Sequence, residues 1–228
     1  MLSMIGSVSV IVALLAAIVV AFSGIVGGFR RSETLSNVAR WGSYLMFAAM
    51  TVAFVTMEIA LLTHDFSVDY VARVGSRETP TYYTAISLWS SLDGSILFWG
   101  WILAAYQALV AFVQRDSESV LTPFALGVMG VVSIFFFGLL AGPASPFGLI
   151  SPAPANGPGP NPLLQNHPLM GLHPPMLYFG YVGLTVPFAF AIAALLSGKL
   201  DEEWIRTTRR WTVAPWAFLS VGIIGGAW

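Results

Sequence analysis

Residues 173–198, HPPMLYFGYVGLTVPFAFAIAALLSG, decide the fold. After the opening histidine this stretch holds no ionisable group stronger than a tyrosine phenol. At a rise of about 1.5 Å per residue its length spans a hydrocarbon core of roughly 30 Å with some left for tilt. It reads as a transmembrane helix with a histidine at its mouth. Pro174 and Pro175 suit a first helical turn, where a missing N–H is no loss, so the spacing puts His173 at or beside the N-cap. The positive end of the helix dipole there disfavours imidazolium and keeps a neutral ring nitrogen available to a metal or a hydrogen bond. Gly180 and Gly183 leave room for a neighbouring helix or a flat ligand, and Pro187 predicts a kink deeper in the span.

Composition extends this to the whole chain. Hydrophobic residues make up 57% and charged residues 9% of the 228, and the mean hydropathy of +0.78 lies outside the range of soluble domains. The expected architecture is all-α: a polytopic integral membrane bundle forming a single membrane domain over residues 1–228. With no cysteine there is no disulfide framework, thiolate metal site or nucleophilic thiol, so any metal must be held by histidine, carboxylate or methionine. A net charge of −1, with no run of five like charges, excludes a nucleic-acid surface.

About six transmembrane helices follow from the apolar runs. Residues 1–29 are uncharged and lack the positive segment that opens a signal peptide, so they read as a retained first span. A second run, 41–63, is interrupted only by Glu58, and a polar segment, 64–84, follows. Helix 3 is expected over 85–113, then a short charged loop with Arg115, Asp116 and Glu118, then helix 4 over 122–140. Residues 141–172 are rich in proline, glycine and asparagine and show neither a period of 2 nor of 3.6. After the span at 173–198, the loop KLDEEWIRTTRR at 199–210 leads to helix 6 over 211–228.

Lysine and arginine concentrate on the cytoplasmic side of membrane proteins. Loops after helices 1, 3 and 5 hold Arg30, Arg31, Arg40, Arg115, Lys199, Arg206, Arg209 and Arg210, eight of the ten; Arg73 and Arg77, the other two, follow helix 2. The N-terminus is therefore expected outside, with 64–84 and 141–172 as periplasmic loops. All three histidines, His64, His167 and His173, fall on or near that outer side.

No nucleophile elbow, P-loop, dinucleotide fingerprint or zinc-spaced histidine pair is present. His167, Met170 and His173 could together form a soft metal site, or the loop histidine could be a plain surface group. His64, beside Asp65 at a helix end, is expected at the water interface. His173 alone has two readings, metal or haem ligation and an interfacial hydrogen bond. The spacing WSSLDGSILFWGW places Asp93 roughly a turn inside the boundary, where an ionisable group is expensive unless it faces protein, water or a polar ligand. Alternatively Trp89 anchors in the interface while Ser90, Ser91 and Asp93 satisfy the first N–H groups. Trp99 and Trp101 suit either a cofactor pocket or helix packing. Glu58 is expected to face water or pair with Arg73 or Arg77, with a proton or quinol role as the other option. Trp41, Trp204 and Trp211 read as interface anchors.

Residues 161–228, beginning NPLLQNHPLMGLHPPMLYFGYVGLTVPFAF, resemble the corresponding part of the CcmF-type haem lyases of cytochrome c maturation, a family that includes NrfE. HDFSVDYVA at 64–72 and TPTYYTAISLWSSLDGSILFW at 79–99 match in the same order. The resemblance implies a haem-handling membrane protein that works with CcmE-type and CcmH-type partners to move haem onto apocytochrome c, in a bacterial-type inner membrane or its organellar equivalent. It also implies that the HPP histidine, here His173, is an axial ligand of a membrane haem b that takes electrons from quinol. Asp93, Trp89 and Tyr178 complete the candidate cofactor contacts.

In the family pattern the second haem b ligand, the tryptophan-rich haem segment and the two outer histidines come later. This sequence stops at Trp228, before them. It is therefore expected to be the N-terminal part of such a lyase, a split subunit or a truncation, partnered by the remaining C-terminal part. Helix 6, about 27 Å long at 1.5 Å per residue and ending on an aromatic tip, fits that expectation. Two alternatives are a membrane scaffold that docks lyase partners without haem, and a quinone-linked or transporter-like subunit.

Overall fold

The computed structural model describes residues 1–117, 119–200 and 202–227. Glu118, Asp201 and Trp228, named above in the loops and at the end of helix 6, lie outside the described residues. Helices α1 (Leu2–Arg30) and α2 (Glu33–Leu62) form a long hairpin. Two short helices, α3 (Asp69–Val74) and α4 (Thr81–Ile86), and one 3-10 turn, Ser87–Trp89, lead to α5 (Leu92–Val113) and α6 (Leu121–Ala141). After the proline-rich segment come α7 (Leu163–Asn166), α8 (Leu169–Gly183), α9 (Thr185–Ser197) and α10 (Glu202–Ala227).

Among the described residues, five helices are long and apolar enough to cross a membrane: α1, α2, α5, α6 and the joined pair α8–α9. The stretch expected as a sixth span falls largely in α10, which is not among these five; α10 starts already at Glu202 and carries Arg206, Arg209 and Arg210 on its first half. The α8–α9 junction falls at Leu184, because Pro187 offers no N–H to the Gly183 carbonyl and its ring crowds that carbonyl. The break falls three residues before the proline at which a kink is expected.

Small residues let the helices approach closely. Alanines 13, 16, 17 and 21 and glycines 24, 27 and 28 lie on the buried face of α1, and Ile11, Leu15 and Phe22 on its exposed face. A Cβ at Gly24 would come within 2.6 Å of the Gly127 nitrogen and the Pro123 oxygen on α6, so only glycine allows these backbones to touch. One polar knot crosses this core. The fully buried Gln107 on α5 donates to Ser43 Oγ on α2 and to the Leu126 carbonyl on α6, and accepts from Ser133 Oγ.

The outer segments are more ordered than their sequence indicates. Residues 64–84, expected as a polar loop, contain α3 and the first residues of α4. Helix α5 starts at Leu92 rather than near residue 85 because Tyr70 Oη donates to the carbonyls of Ser87 (2.9 Å) and Leu88 (2.8 Å), pinning the chain in a tight turn. Ser90 Oγ, donating to the Ser87 carbonyl, competes for the same backbone. Burial of Tyr70 pushes its phenol well above the ordinary range.

The proline-rich segment lacks periodicity because its partners are distant. Ile150 N donates to the Ser67 carbonyl and Asp69 N to the Gly148 carbonyl around an isolated antiparallel bridge, Val68–Leu149. Farther along, Asn156 accepts from Arg77 N and donates to Glu78, while Gly159 N donates to the Gly75 carbonyl.

Donation from Ser76 Oγ and Asn156 Nδ2 holds the exposed Glu78 carboxyl below its ordinary value of 4.5. A depressed folded-state pKa contributes stability that is present above 4.5 and lost as pH falls through the folded value. Amide exchange at Gly159, corrected for its intrinsic pH dependence, is expected to accelerate below pH 4.5 in the wild type and to be flat in Glu78→Gln.

Candidate functional site

His173 is held on the seam between α8 and α10. Its Nδ1 lies 2.7 Å from the Gly222 carbonyl oxygen, and since a carbonyl only accepts, Nδ1 carries the proton and Nε2 presents a lone pair. The ring is half-buried against Gly226, where a Cβ would meet Cε1 at 2.5 Å. Below it the seam continues: Leu177 against Gly222, Gly180 against Leu219 and Gly183 against Pro215, each within 2.9 Å of an added glycine Cβ. The room that Gly180 and Gly183 provide is thus taken by a neighbouring helix.

The N-cap position expected for His173 is a correction. Helix α8 begins one turn earlier, because His167 Nδ1 accepts the Leu169 N–H and the Met170 and Gly171 N–H groups bond back to His167 and Pro168. Pro174 and Pro175 therefore lie inside the helix, leaving the Met170 and Gly171 carbonyls without an i+4 donor.

Tyr178 points to the other flank of α8. Its hydroxyl donates to Ser95 Oγ at 3.2 Å, and its ring meets Phe98 and Trp99 at 5.7 and 6.0 Å. Trp89 stacks on Phe98 at 5.3 Å, and its buried indole N–H has no acceptor among the described residues. Asp93, in the first turn of α5 and 15% exposed, pairs with Arg73, whose Nε also reaches Asp69 at 2.9 Å. The structure brings Trp89, Asp93 and Tyr178 to one end of α5. His173 faces α10 instead.

Several expectations change. Ser90 and Ser91 make no side-chain cap on α5, since Ser90 bonds within the preceding turn. Glu58 pairs with neither Arg73 nor Arg77: the first is taken by Asp69 and Asp93, the second bonds Ala155 and Asn156. Trp99 and Trp101 pack between helices, stacked on Phe136 and Phe54, with Trp101 Nε1 donating to Thr51. Trp211 is buried, at 6% exposure, rather than an exposed anchor. His64 folds back in a left-handed conformation, its Nδ1 3.0 Å from the Leu61 carbonyl. The Arg73 bridge and the glycines of α10 opposite His173 went unseen in the sequence. Both join segments far apart in the chain.

Residues 89–228 match the model of the cytochrome C assembly protein family, more than half of the chain. The chain belongs to this family. It is 43% identical to the cytochrome c-type biogenesis protein CcmF of Pseudomonas fluorescens over 98% of its own length and 34% of that protein. It is 35% identical to NrfE of Haemophilus influenzae, over 89% of the chain and 32% of the relative. A solved cytochrome c haem lyase CcmF superposes with a TM-score of 0.85 at 33% identity, covering 97% of this chain and 35% of the other. The chain thus spans about a third of the length of the curated relatives it matches.

Membership makes haem the group against which the site is tested. A metal-ligating histidine characteristically donates its second ring N–H to a carbonyl, which fixes tautomer and orientation, and His173 does so through Gly222. Among the described residues no cluster of three or more His, Cys, Asp or Glu could hold a bare ion.

Proposed function

We propose that this chain is the portion of a cytochrome c maturation haem lyase that supplies one axial ligand, His173 Nε2, to a haem b shared with the remaining C-terminal part. The observation that carries it is the His173 Nδ1 to Gly222 carbonyl bond, which commits Nε2 to accept. A haem b so held would relay electrons, drawn from quinol, that keep the transferred haem reduced. The rest falls to the chain's own side chains. Trp89 offers a buried indole N–H to an incoming acceptor, Tyr178 orders the wall beside it, and the Asp93–Arg73 pair fixes the mouth of α5.

Partners of this reading are CcmE-type and CcmH-type proteins and apocytochrome c, with the N-terminus on the periplasmic side of an inner membrane. Support for that orientation comes from the way the arginines gather. Arg31 and Arg40 line one cavity beside Ser117, and Arg206, Arg209 and Arg210 line another beside Gln114, all at the same ends of α1, α2 and α5. Arg73 and Arg77 lie in the segment after the opposite end of α2.

Co-production of the chain with the C-terminal part of a CcmF relative tests the proposal. The expected result is a bis-histidine b-type absorbance in the purified complex. A stoichiometric complex without that absorbance, or substrate flux in proteoliposomes, would overturn it in favour of a scaffold or a transporter.

A further inference from the structure

At the arginine-rich end, a cavity of about 470 Å3 opens between the α1–α2 turn and the start of α6. Its lining includes Arg31, Ser32, Ser36, Asn37, Arg40 and Thr122. Three features there point to a ligand. Thr122 is 5% exposed, and its hydroxyl, buried at the cavity wall, has no partner among the described residues. A buried hydroxyl without a partner is costly, so it marks a place where a polar group from outside belongs. Arg31 occupies the residue after α1 in a left-handed conformation, φ 50° and ψ 40°, a position that glycine ordinarily fills. The chain accepts strain to keep a guanidinium at this turn. Finally, Arg31 and Arg40 have no ion pair among the described residues, and Glu33 is the one carboxylate among the residues lining the cavity.

Two guanidiniums, hydroxyls and an amide around one cavity are the donor set of a phosphate. What brings the phosphate is indicated next door. Asn37 also lines an apolar groove of about 540 Å3 formed by Val19, Val38, Trp41, Gly42 and Leu45 on the outer face of the α1–α2 hairpin. Trp41 and Leu45 are 70% and 52% exposed there, an interfacial aromatic followed one turn on by an aliphatic side chain. A polar cleft that shares Asn37 with an apolar groove matches the two halves of one molecule.

We propose that this cleft and groove bind an anionic phospholipid of the arginine-rich leaflet, its phosphate between Arg31 and Arg40 with Thr122 Oγ donating, its acyl chain along Trp41 and Leu45. Basic pockets between membrane helices recognise such headgroups. The site is independent of haem.

The test is native mass spectrometry of the full chain in micelles doped with dioleoyl phosphatidylglycerol, dioleoyl phosphatidylcholine or inorganic phosphate. One phosphatidylglycerol should be retained, and neither of the others. Arg40→Gln and Arg31→Gly should each lower retention about tenfold, the loss of one charge-assisted contact. Arg31→Gly removes the left-handed strain, so its thermal midpoint in lipid-free micelles should be unchanged or raised, which separates lost binding from lost folding. Arg115→Gln, at the same end but outside the cleft, should retain the lipid. Equal retention of both lipids, equal loss in Arg115→Gln, or competition by millimolar phosphate would each overturn the assignment.

Discussion

In the complex with the C-terminal part, His173→Ala is expected to abolish the b-type absorbance while leaving yield and membrane insertion unchanged. The side chain is half-buried and makes one hydrogen bond, to Gly222, so its removal costs little of the fold, about 1 kcal/mol. What it removes is the imidazole itself. A graded version separates the ligand from its support. Gly180 faces the Leu219 backbone, and a Cβ added there would lie 2.6–2.7 Å from Leu219 Cβ, Cα and N. Ordinary contact begins near 3.4 Å, so Gly180→Val must push α10 away by the better part of an ångström. Such a shift carries the Gly222 carbonyl, now 2.7 Å from Nδ1, beyond hydrogen-bonding distance.

With the tautomer and ring orientation released, the absorbance of Gly180→Val should fall about tenfold, the usual range for losing a partner of a metal-ligating histidine. Gly225→Ala provides the control: nothing lies within 4 Å of its added Cβ, and alanine improves helix propensity by about 0.8–1.0 kcal/mol. Full absorbance in Gly180→Val would mean that the α8–α10 seam does not position the ligand.

The membrane-helix character of the chain is legible because it depends on local pattern. Uninterrupted apolar length announces a membrane helix without reference to neighbours. The start of α8 was off by one turn because a histidine side chain, His167, supplies the first cap, and proline tolerance in a helix depends on surroundings. Pairings across the chain were hidden for a different reason. Nothing in residues 64–84 states that Arg73 will meet Asp93, because short helices α3 and α4 had first to fold the segment back over α5. The same holds for Gly222 and Gly226: as glycines in an apolar run they announce close approach, but not which helix approaches. Local signals set elements, and register between elements decides the site.

Register also governs the second large effect, at Gln107. Gln107→Ala is expected to lower unfolding stability in nanodiscs by about 2–4 kcal/mol, combining a core cavity with the loss of buried hydrogen bonds. In membrane bundles a hydrogen bond averages only about 0.6 kcal/mol, so the cavity should be the larger part. Gln107→Leu tests that division by restoring most of the volume without the amide. It removes the donors to Ser43 and to the Leu126 carbonyl and the acceptor for Ser133. Ser43 keeps its bond to the Ala39 carbonyl, while Ser133 must find another acceptor. A serine in a membrane helix can turn its hydroxyl back to the carbonyl four residues earlier, here Met129. Gln107→Leu should therefore lose about 1 kcal/mol, and adding Ser133→Ala should recover most of it, because it removes the one hydroxyl of the knot that has lost its acceptor. If leucine is as damaging as alanine, the amide and not the volume holds α2, α5 and α6 in register, and the polar knot is what selects this helix arrangement over others of similar packing.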